Sequence, residues 1–152
     1  MYDKMPHETV YSVVRSWVDK QPDPVAIVED NRKASYRELD RMANDIMSKF
    51  YDCNYQFIGF IMSHSIEMIA ATLAVLKSGA AYVPAETTLP GARAGYMMET
   101  AGASLVITDD YCRDLPHSGA LADRLKPDGL AYVLFTSGTT GGPKEWPWKT
   151  TV

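Results

Sequence analysis

The feature that most constrains the fold is an alternation of short apolar runs with helical patterns in the middle of the chain. The runs "QFIGFIM", "AAYVPA" and "SLVITDD" predict buried strands, and a helix is predicted between each pair of them. Apolar strands that alternate with helices are typical of parallel βαβ units covered on both faces. We therefore expect an α/β fold in which the strands near Phe57–Met62, Ala81–Pro84 and Ser104–Thr108 are parallel.

The sequence also predicts the remaining helices, turns and strands. A helix is expected from Val10, and "PVAIVEDNRKASY" predicts a β-hairpin with its turn at Glu29–Arg32. Ser35 and Glu38 have the spacing of a capping box and predict the start of a second helix. Gly79 is expected to end the third helix. Residues 114–129 are expected to form a loop before a last strand, "LAYVLF".

Composition excludes several classes of function. The formal net charge of -4 and the pI near 5.3 argue against a nucleic acid or an anionic membrane as the main partner. The sequence contains neither a bilayer-spanning apolar run nor the apolar run of a signal peptide, so the cytoplasm is the expected compartment. Cys53 and Cys112 form no metal-binding or redox motif, and no metal site is predicted.

The segment with the clearest chemistry is "TSGTTGGPK", residues 136–144, directly after the last predicted strand. Its hydroxyls are hydrogen-bond donors, its glycines let backbone N–H groups approach a ligand, and Lys144 adds a mobile positive charge. This combination suits a polyphosphate. The pattern is not that of a Walker loop, because Pro143 precedes the lysine and no helix pattern follows. The alternative is a flexible surface turn.

The same segment resembles the phosphate loop of adenylate-forming enzymes, which include acyl-CoA synthetases, luciferases and the adenylation domains of nonribosomal peptide synthetases. Two upstream stretches, "ASYRELDRMAND" and "LAVLKSGAAYVPAETTLPGARAGYMMETAGASLVIT", resemble the first two core motifs of the peptide-synthetase subfamily. The resemblance covers about residues 9–144. It implies a partial N-terminal subdomain of the adenylate-forming fold, a mainly parallel sheet flanked by helices with an N-terminal β-hairpin.

The resemblance also implies a ligand. In the family, ATP binds with Mg²⁺, a substrate carboxylate attacks the α-phosphate, and pyrophosphate leaves. The side chains that would bind the β- and γ-phosphates are those of Thr136, Ser137, Thr139, Thr140 and Lys144, with Gly138 and Gly141 shaping the loop. Their share of the work would be electrostatic stabilisation of the departing pyrophosphate. No catalytic residue is predicted within the chain.

The sequence departs from the family after the loop. Glu145 stands where the family has glycine, and "EWPWKTTV" does not resemble the strand that usually returns from the loop. The chain is therefore divided into a truncated adenylation subdomain, residues 1–144, and an atypical tail, residues 145–152. The expected function is an adenylation-domain fragment without activity of its own and with weak or no ATP binding. The alternatives are a non-catalytic interaction module, or half of a split enzyme.

The remaining matched residues are expected to be structural. Ser35–Leu39 caps a helix, Lys77–Pro84 packs and begins a strand, and Arg93 forms a salt bridge or caps a loop. His7, His64 and His117 have no acid or cysteine partner at a suggestive spacing.

The predicted partner is a second copy of the chain, or a complementing protein chain. Without later strands, "LAYVLF" would be an open apolar sheet edge, and such edges recruit other chains. Trp146 and Trp148 would lie beside this edge. The alternative is that the tail folds back and covers the edge within one chain.

Overall fold

The computed structural model describes residues 9–126, 128–136 and 144–149 of the 152-residue chain. Its helices are α1 (Val10–Lys20), α2 (Tyr36–Ser48), α3 (Ile66–Lys77) and α4 (Gly91–Ala101), with a short 3₁₀ turn at Asp110–Cys112. Its strands are β1 (Val25–Glu29), β2 (Arg32–Ser35), β3 (Phe57–Ile61), β4 (Ala81–Ala85), β5 (Leu105–Thr108), β6 (Leu130–Thr136) and β7 (Lys144–Lys149).

The first two helices begin at reciprocal side-chain caps. At α2 the backbone N–H of Glu38 donates to the Ser35 hydroxyl at 3.3 Å, and the Ser35 N–H donates to the Glu38 carboxylate at 2.8 Å. This confirms the predicted capping box. A second box, which the sequence did not suggest, begins α1, where Thr9 and Ser12 exchange the same two bonds. Each box satisfies N–H groups that a helix start leaves without partners.

Two glycines end helices in the left-handed region. Gly79 after α3 has a φ of 78°, and Gly102 after α4 has a φ of 70°. Glycine adopts this conformation without the steric cost that a Cβ imposes. The end of α3 at Gly79 lies where the sequence predicts it.

The strands form two sheets. β1 and β2 make an antiparallel hairpin, and the other strands form one sheet in the order β5-β3-β4-β6-β7. β3 is parallel to both β4 and β5, and β4 is parallel to β6. The expected parallel core and N-terminal hairpin are therefore confirmed.

The connecting helices lie on opposite faces of this sheet. From β3 the chain moves to β4 through α3, and from β4 it moves back past β3 to β5 through α4. Because the direction reverses, crossovers of one handedness place α3 and α4 on opposite faces. Ile58 and Phe60 of β3 accordingly pack in the core with α2 and α3, while Phe57 and Ile61 pack in the smaller core with α4. Gly59 lets α4 approach, since a Cβ there would lie 2.2 Å from the sulfur of Met98.

The tail corrects two of the sequence predictions. Residues 144–149 do form a strand, β7, which returns antiparallel along β6 with Thr136 opposite Lys144 and Leu134 opposite Trp146. The strand β6 is therefore not an open edge. The backbone follows the alternative prediction, in which the tail folds back along β6 within one chain. Pro147 is compatible with this strand because β7 is the outermost, and an outer strand can lack one N–H donor without breaking a ladder bond.

Candidate functional site

The predicted phosphate loop connects β6 to β7. Thr136 is the last residue of β6 and Lys144 the first of β7, and the two face each other in the antiparallel register. The other predicted site residues lie between them and outside the described residues; they are Ser137, Gly138, Thr139, Thr140 and Gly141. The hairpin therefore brings the two ends of the predicted loop together, as a loop that encloses a small anion requires.

The direction of β6 determines which edge of the sheet this loop occupies. β6 runs parallel to β4, with Tyr132 paired to Tyr82, and β4 runs parallel to β3. The segments that follow β3, β4, β5 and β6 therefore all leave the sheet at its carboxyl edge. Open α/β sheets bind ligands at this edge.

A groove of about 650 Å³ lies at the same edge. This volume falls within the range of small-molecule sites, roughly 300–1,000 Å³. Its apolar wall includes Phe60 of β3, Tyr82 of β4, Met97 of α4, and Leu134 and Phe135 of β6. Since Phe135 immediately precedes Thr136, the groove begins where the predicted phosphate loop begins.

Aromatic rings stiffen one side of this groove. The Phe60 and Tyr82 rings stack with centroids 5.3 Å apart, and the Tyr82 and Tyr132 rings lie 5.4 Å apart. Offset ring pairs of this kind add stability beyond the area that they bury. Burial, and then the neighbouring Tyr132, raise the pKa of Tyr82 above its ordinary value, so its phenol stays neutral. A neutral wall does not repel an anionic ligand.

The groove also carries a few polar side chains, which are His64, Thr72, Glu86 and Arg93. Arg93 was expected to form a salt bridge or cap a loop, but it makes neither contact within the residues that the structure describes. A guanidinium without a carboxylate partner suits an anion. Glu86 lies on the same wall and accepts a hydrogen bond from the Thr88 hydroxyl at 3.3 Å, so the groove carries charges of both signs.

These groove residues were not identified as site residues from the sequence. The signal that could have found Glu86 and Arg93 is their position, because both follow the carboxyl end of a predicted parallel strand. Such positions carry ligand contacts in open α/β sheets. His64 occupies the corresponding place after β3 and is exposed, as expected for a surface residue.

The other residues singled out in the sequence are structural. Lys77 is fully buried, and its Nζ donates to Asn44 Oδ1 at 2.8 Å, so it is a packing residue of α3 rather than a ligand contact. His117 lies 3.8 Å from the buried carboxylate of Asp45, and His7 lies outside the described residues. Cys53 and Cys112 are both free thiols.

Two further properties concern metals and membranes. Within the described ranges, no group of three His, Cys, Asp or Glu side chains is placed to hold a metal ion. The described helices include none that is long and apolar enough to cross a bilayer.

Sequence comparison identifies the family to which this sheet and loop belong. The profile of the AMP-binding enzyme family matches residues 14–124, which is most of the described chain. This protein belongs to the AMP-binding enzyme family. The similarity to adenylate-forming enzymes is thereby confirmed.

The curated relatives are nonribosomal peptide synthetases. The chain is 35% identical over 147 residues to gramicidin S synthase 2 of Brevibacillus brevis, covering 84% of this chain and 3% of that protein. It is 33% identical over 160 aligned positions to tyrocidine synthase 1 of Brevibacillus parabrevis, covering 90% of this chain and 15% of that one. The chain thus spans only a small part of the length of these AMP-binding relatives.

Solved structures place the fold within an adenylation domain. The N-terminal subdomain of NpsA from Klebsiella oxytoca, solved in complex with anthranilyl-AMSN, is 26% identical and superposes with a TM-score of 0.81. The match covers 94% of this chain and 41% of that one. A nonribosomal peptide synthetase in its AMPPNP-bound form is also 26% identical, with a TM-score of 0.81 over 98% of this chain and 18% of that one. The predicted fold, a part of the N-terminal subdomain of the adenylate-forming fold, is confirmed.

Proposed function

We propose that the chain supplies the ATP-phosphate-binding part of an adenylating site, and that these residues alone do not adenylate an amino acid. The observation that carries the proposal is the pairing of Thr136 with Lys144 at the carboxyl edge of the parallel sheet. This pairing brings together the two ends of a segment rich in hydroxyls and glycines, and Phe135, next to its first residue, lines the groove.

The chemistry of the loop fits a polyphosphate. Its hydroxyls and backbone N–H groups donate hydrogen bonds to phosphate oxygens, and Lys144 supplies a positive charge. ATP, when bound, supplies the phosphoryl group that a carboxylate attacks in this family. The residues of this chain would hold the β- and γ-phosphates and stabilise the charge that develops on pyrophosphate.

Magnesium is a weaker fit than the nucleotide. Glu86 is the carboxylate that lines the groove, and the described residues provide no cluster of metal ligands. A single carboxylate can share a Mg²⁺ ion with phosphate oxygens but does not hold the ion by itself. We therefore assign no step to a metal held by these residues.

The share of the fold that the chain represents supports the absence of independent activity. The chain covers 41% of the NpsA N-terminal subdomain. The groove offers apolar walls, and the predicted phosphate loop offers hydrogen-bond donors. The other parts of the NpsA subdomain have no counterpart among these residues. Phosphate contacts of exposed groups are worth about 1 kcal/mol or less each, which gives weak binding.

Two measurements test the proposal. ATP–pyrophosphate exchange with single amino acids is expected to give no signal, and exchange with any of them would contradict the absence of activity. NMR titration with inorganic triphosphate is expected to move the amide signals of residues 136–142 and 144. Lys144→Ala is expected to abolish these shifts, whereas Lys149→Ala at the opposite end of β7 is the matched control and is expected to retain them. Equal loss in both variants would remove the assignment to Lys144.

Self-association is a second candidate role and rests on a different observation. Ile69 and Leu134, 37% and 39% exposed, are large apolar side chains on the wall of the groove. Exposed apolar surface of this kind often marks a contact with another chain. The groove would be shared with a second copy of this chain or with a complementing chain, and a two-fold contact is the commonest arrangement.

A further inference from the structure

Among the described residues, the connection between β5 and β6 contains the short 3₁₀ turn at Asp110–Cys112 but no α-helix. β5 is an outer strand and β6 lies beyond β4, so the chain between them has to cross the sheet and return to its amino edge. Parallel strands are usually joined by a helical crossover. Here residues 114–126, which we name the strap, contain neither helix nor strand. Their backbone groups consequently need partners from elsewhere in the molecule.

Side chains of α2 provide the first of these partners. The backbone N–H of Ser118 donates to Asp45 Oδ1 at 2.9 Å, and the N–H of Leu121 donates to Asn44 Oδ1 at 3.0 Å. Asp45 and Asn44 are both 3% exposed, so these bonds are shielded from water. Two neighbouring helix residues thus hold two points of the strap.

The end of α3 provides further partners. The Arg124 N–H donates to the Lys77 carbonyl at 2.8 Å, and a Cβ on Gly79 would lie 2.3 Å from the Arg124 carbonyl oxygen. The Lys77 ammonium donates to Asn44 Oδ1 at 2.8 Å and lies 3.2 Å from Asp123 Oδ1. Lys77 is fully buried, so its charge is compensated by these two groups and by the Tyr11 ring, whose centroid is 5.1 Å away.

These contacts give a role to the stretch "LKSG", which the phosphate site does not use. We propose that Lys77 and Gly79 form a dock for the strap, and that Lys77 is a positioning residue that fixes where β6, and hence the phosphate loop, begins. The Lys77 ammonium contacts both Asn44 of α2 and Asp123 of the strap. The Lys77 carbonyl accepts a hydrogen bond from the Arg124 N–H, and the missing side chain of Gly79 leaves space for the Arg124 carbonyl. The consequence for the loop rests on the proposed function, whereas the docking of the strap does not.

Hydrogen exchange followed by NMR on the full chain tests the dock. In Lys77→Met, the amides of Ser118, Leu121 and Arg124 are expected to exchange at least ten times faster. The reason is that the ammonium contacts, which oppose opening of the strap, are absent from this variant. Ile58 in β3 is expected to keep its exchange rate. Asp23→Asn is the matched control, because it weakens an exposed ion pair with Arg37 that does not touch the strap.

A second variant keeps the test decisive if Lys77→Met does not fold. Asp123→Asn leaves the buried lysine in place and alters a side chain that is 42% exposed. It is expected to speed exchange at the same strap amides, by a smaller factor, and to shift the amide signals of Leu130 and Ala131 at the start of β6. Unchanged strap exchange, or equal acceleration at Ile58, would overturn the dock.

Different results would overturn the dock, the positioning role of Lys77 and the proposed phosphate site. Faster strap exchange with unmoved β6 signals would overturn the positioning role and leave the dock as a purely local contact. Loss of triphosphate binding in Lys144→Ala has no bearing on either result, because strap exchange is measured without any phosphate ligand.

Discussion

Gly79 and Arg124 meet so closely that a Cβ on the glycine would lie 2.3 Å from the arginine carbonyl oxygen. The glycine also has a φ of 78°, so a side chain there carries a conformational cost as well as a collision. Gly102 shares the left-handed conformation, with a φ of 70°, but has nothing within 4 Å of its Cβ position. A comparison of the two glycines therefore separates the cost of a side chain in the left-handed conformation from the cost of the collision with Arg124.

We expect Gly79→Ala to destabilise the protein by more than Gly102→Ala in urea unfolding. Gly102→Ala carries only the backbone cost, about 1–2 kcal/mol, whereas Gly79→Ala adds the displacement of Arg124. Gly95→Ala, inside α4 with open space around it, is the control and is expected to stabilise by up to about 1 kcal/mol. Equal losses at Gly79 and Gly102 would show that the strap moves aside without cost.

The capping box of α2 predicts a dependence on pH. Hydrogen bonds from the Ser35 backbone N–H and hydroxyl lower the pKa of Glu38 below its ordinary value of 4.5. Because the pKa is lower in the folded state, the stabilisation is complete well above pH 4.5 and is lost as pH falls through the folded-state pKa. Glu38→Gln is expected to remove this part of the acid dependence in thermal unfolding. A wild-type-minus-variant difference that stays constant from pH 7 to pH 3 would contradict the prediction.

The hydroxyl side of the same cap is tested separately. Ser35→Ala is expected to cost about 1 kcal/mol of unfolding free energy, which is typical for loss of a helix cap. Ser35→Thr retains the hydroxyl as both acceptor and donor and is the control, expected to keep most of the stability. The measurement is urea unfolding at pH 7, and a Thr variant as unstable as the Ala variant would argue against capping as the cause.

ATP binding by the isolated chain is expected to be weak or undetectable by calorimetry. The reason is that the predicted loop provides hydrogen-bond donors to phosphate, while the chain covers only 41% of the NpsA subdomain. If binding is observed, Lys144→Ala is expected to abolish it, and Lys33→Ala, at an exposed hairpin position, is expected to leave it unchanged. Micromolar affinity for ATP would prove the prediction wrong.

Self-association is expected at micromolar concentration and is measured by sedimentation velocity. Leu134→Glu places a charge on the groove wall and is expected to shift the chain toward monomer if this face is shared. Val28→Glu, at a position in β1 that is 61% exposed and away from the groove, is the control. A wild-type chain that sediments as a monomer at this concentration would contradict the prediction, and a dimer that persists in Leu134→Glu would exclude the groove as its interface.

The two thiols are expected to react at very different rates. Cys53 is exposed, whereas Cys112 is 8% exposed and burial raises its pKa to about 11. At pH 8 a disulfide reagent is expected to modify Cys53 rapidly and Cys112 only after unfolding, because the thiolate is the reactive form. Cys53→Ser is therefore expected to lose the fast phase. A fast phase that persists in Cys53→Ser would show that the 3₁₀ turn opens readily.

Sequence patterns predicted the parts of the fold whose causes are local. The Ser35 cap, the glycine at the end of α3 and the apolar strands each depend on neighbouring residues, and all lie where expected. The course of the strap could not be predicted, because its partners are far apart in sequence, as with Ser118 and Asp45.

The candidate site divides in the same way. The nine-residue segment predicted to bind phosphate is a continuous string and is visible in the sequence. The groove is assembled from several strands and two helices, so its lining is not a continuous motif, and only the position of Glu86 and Arg93 after a predicted parallel strand pointed to it. The sequence does not predict the returning strand β7 because residues 145–152 depart from the family pattern, whereas pairing with β6 determines its conformation.

The strap also has a consequence for the order of folding. The strands β3, β4 and β5 are joined in sequence by the helical crossovers α3 and α4, and β3 pairs with both β4 and β5. β6 can join β4 only after an irregular segment has been closed across the sheet, and closing a long loop costs entropy before any new contact repays it. We therefore expect β3, β4 and β5 to assemble first and β6 to be added late. The predicted phosphate loop, which connects β6 to β7 in the sequence, would then be among the last parts of the protein to form.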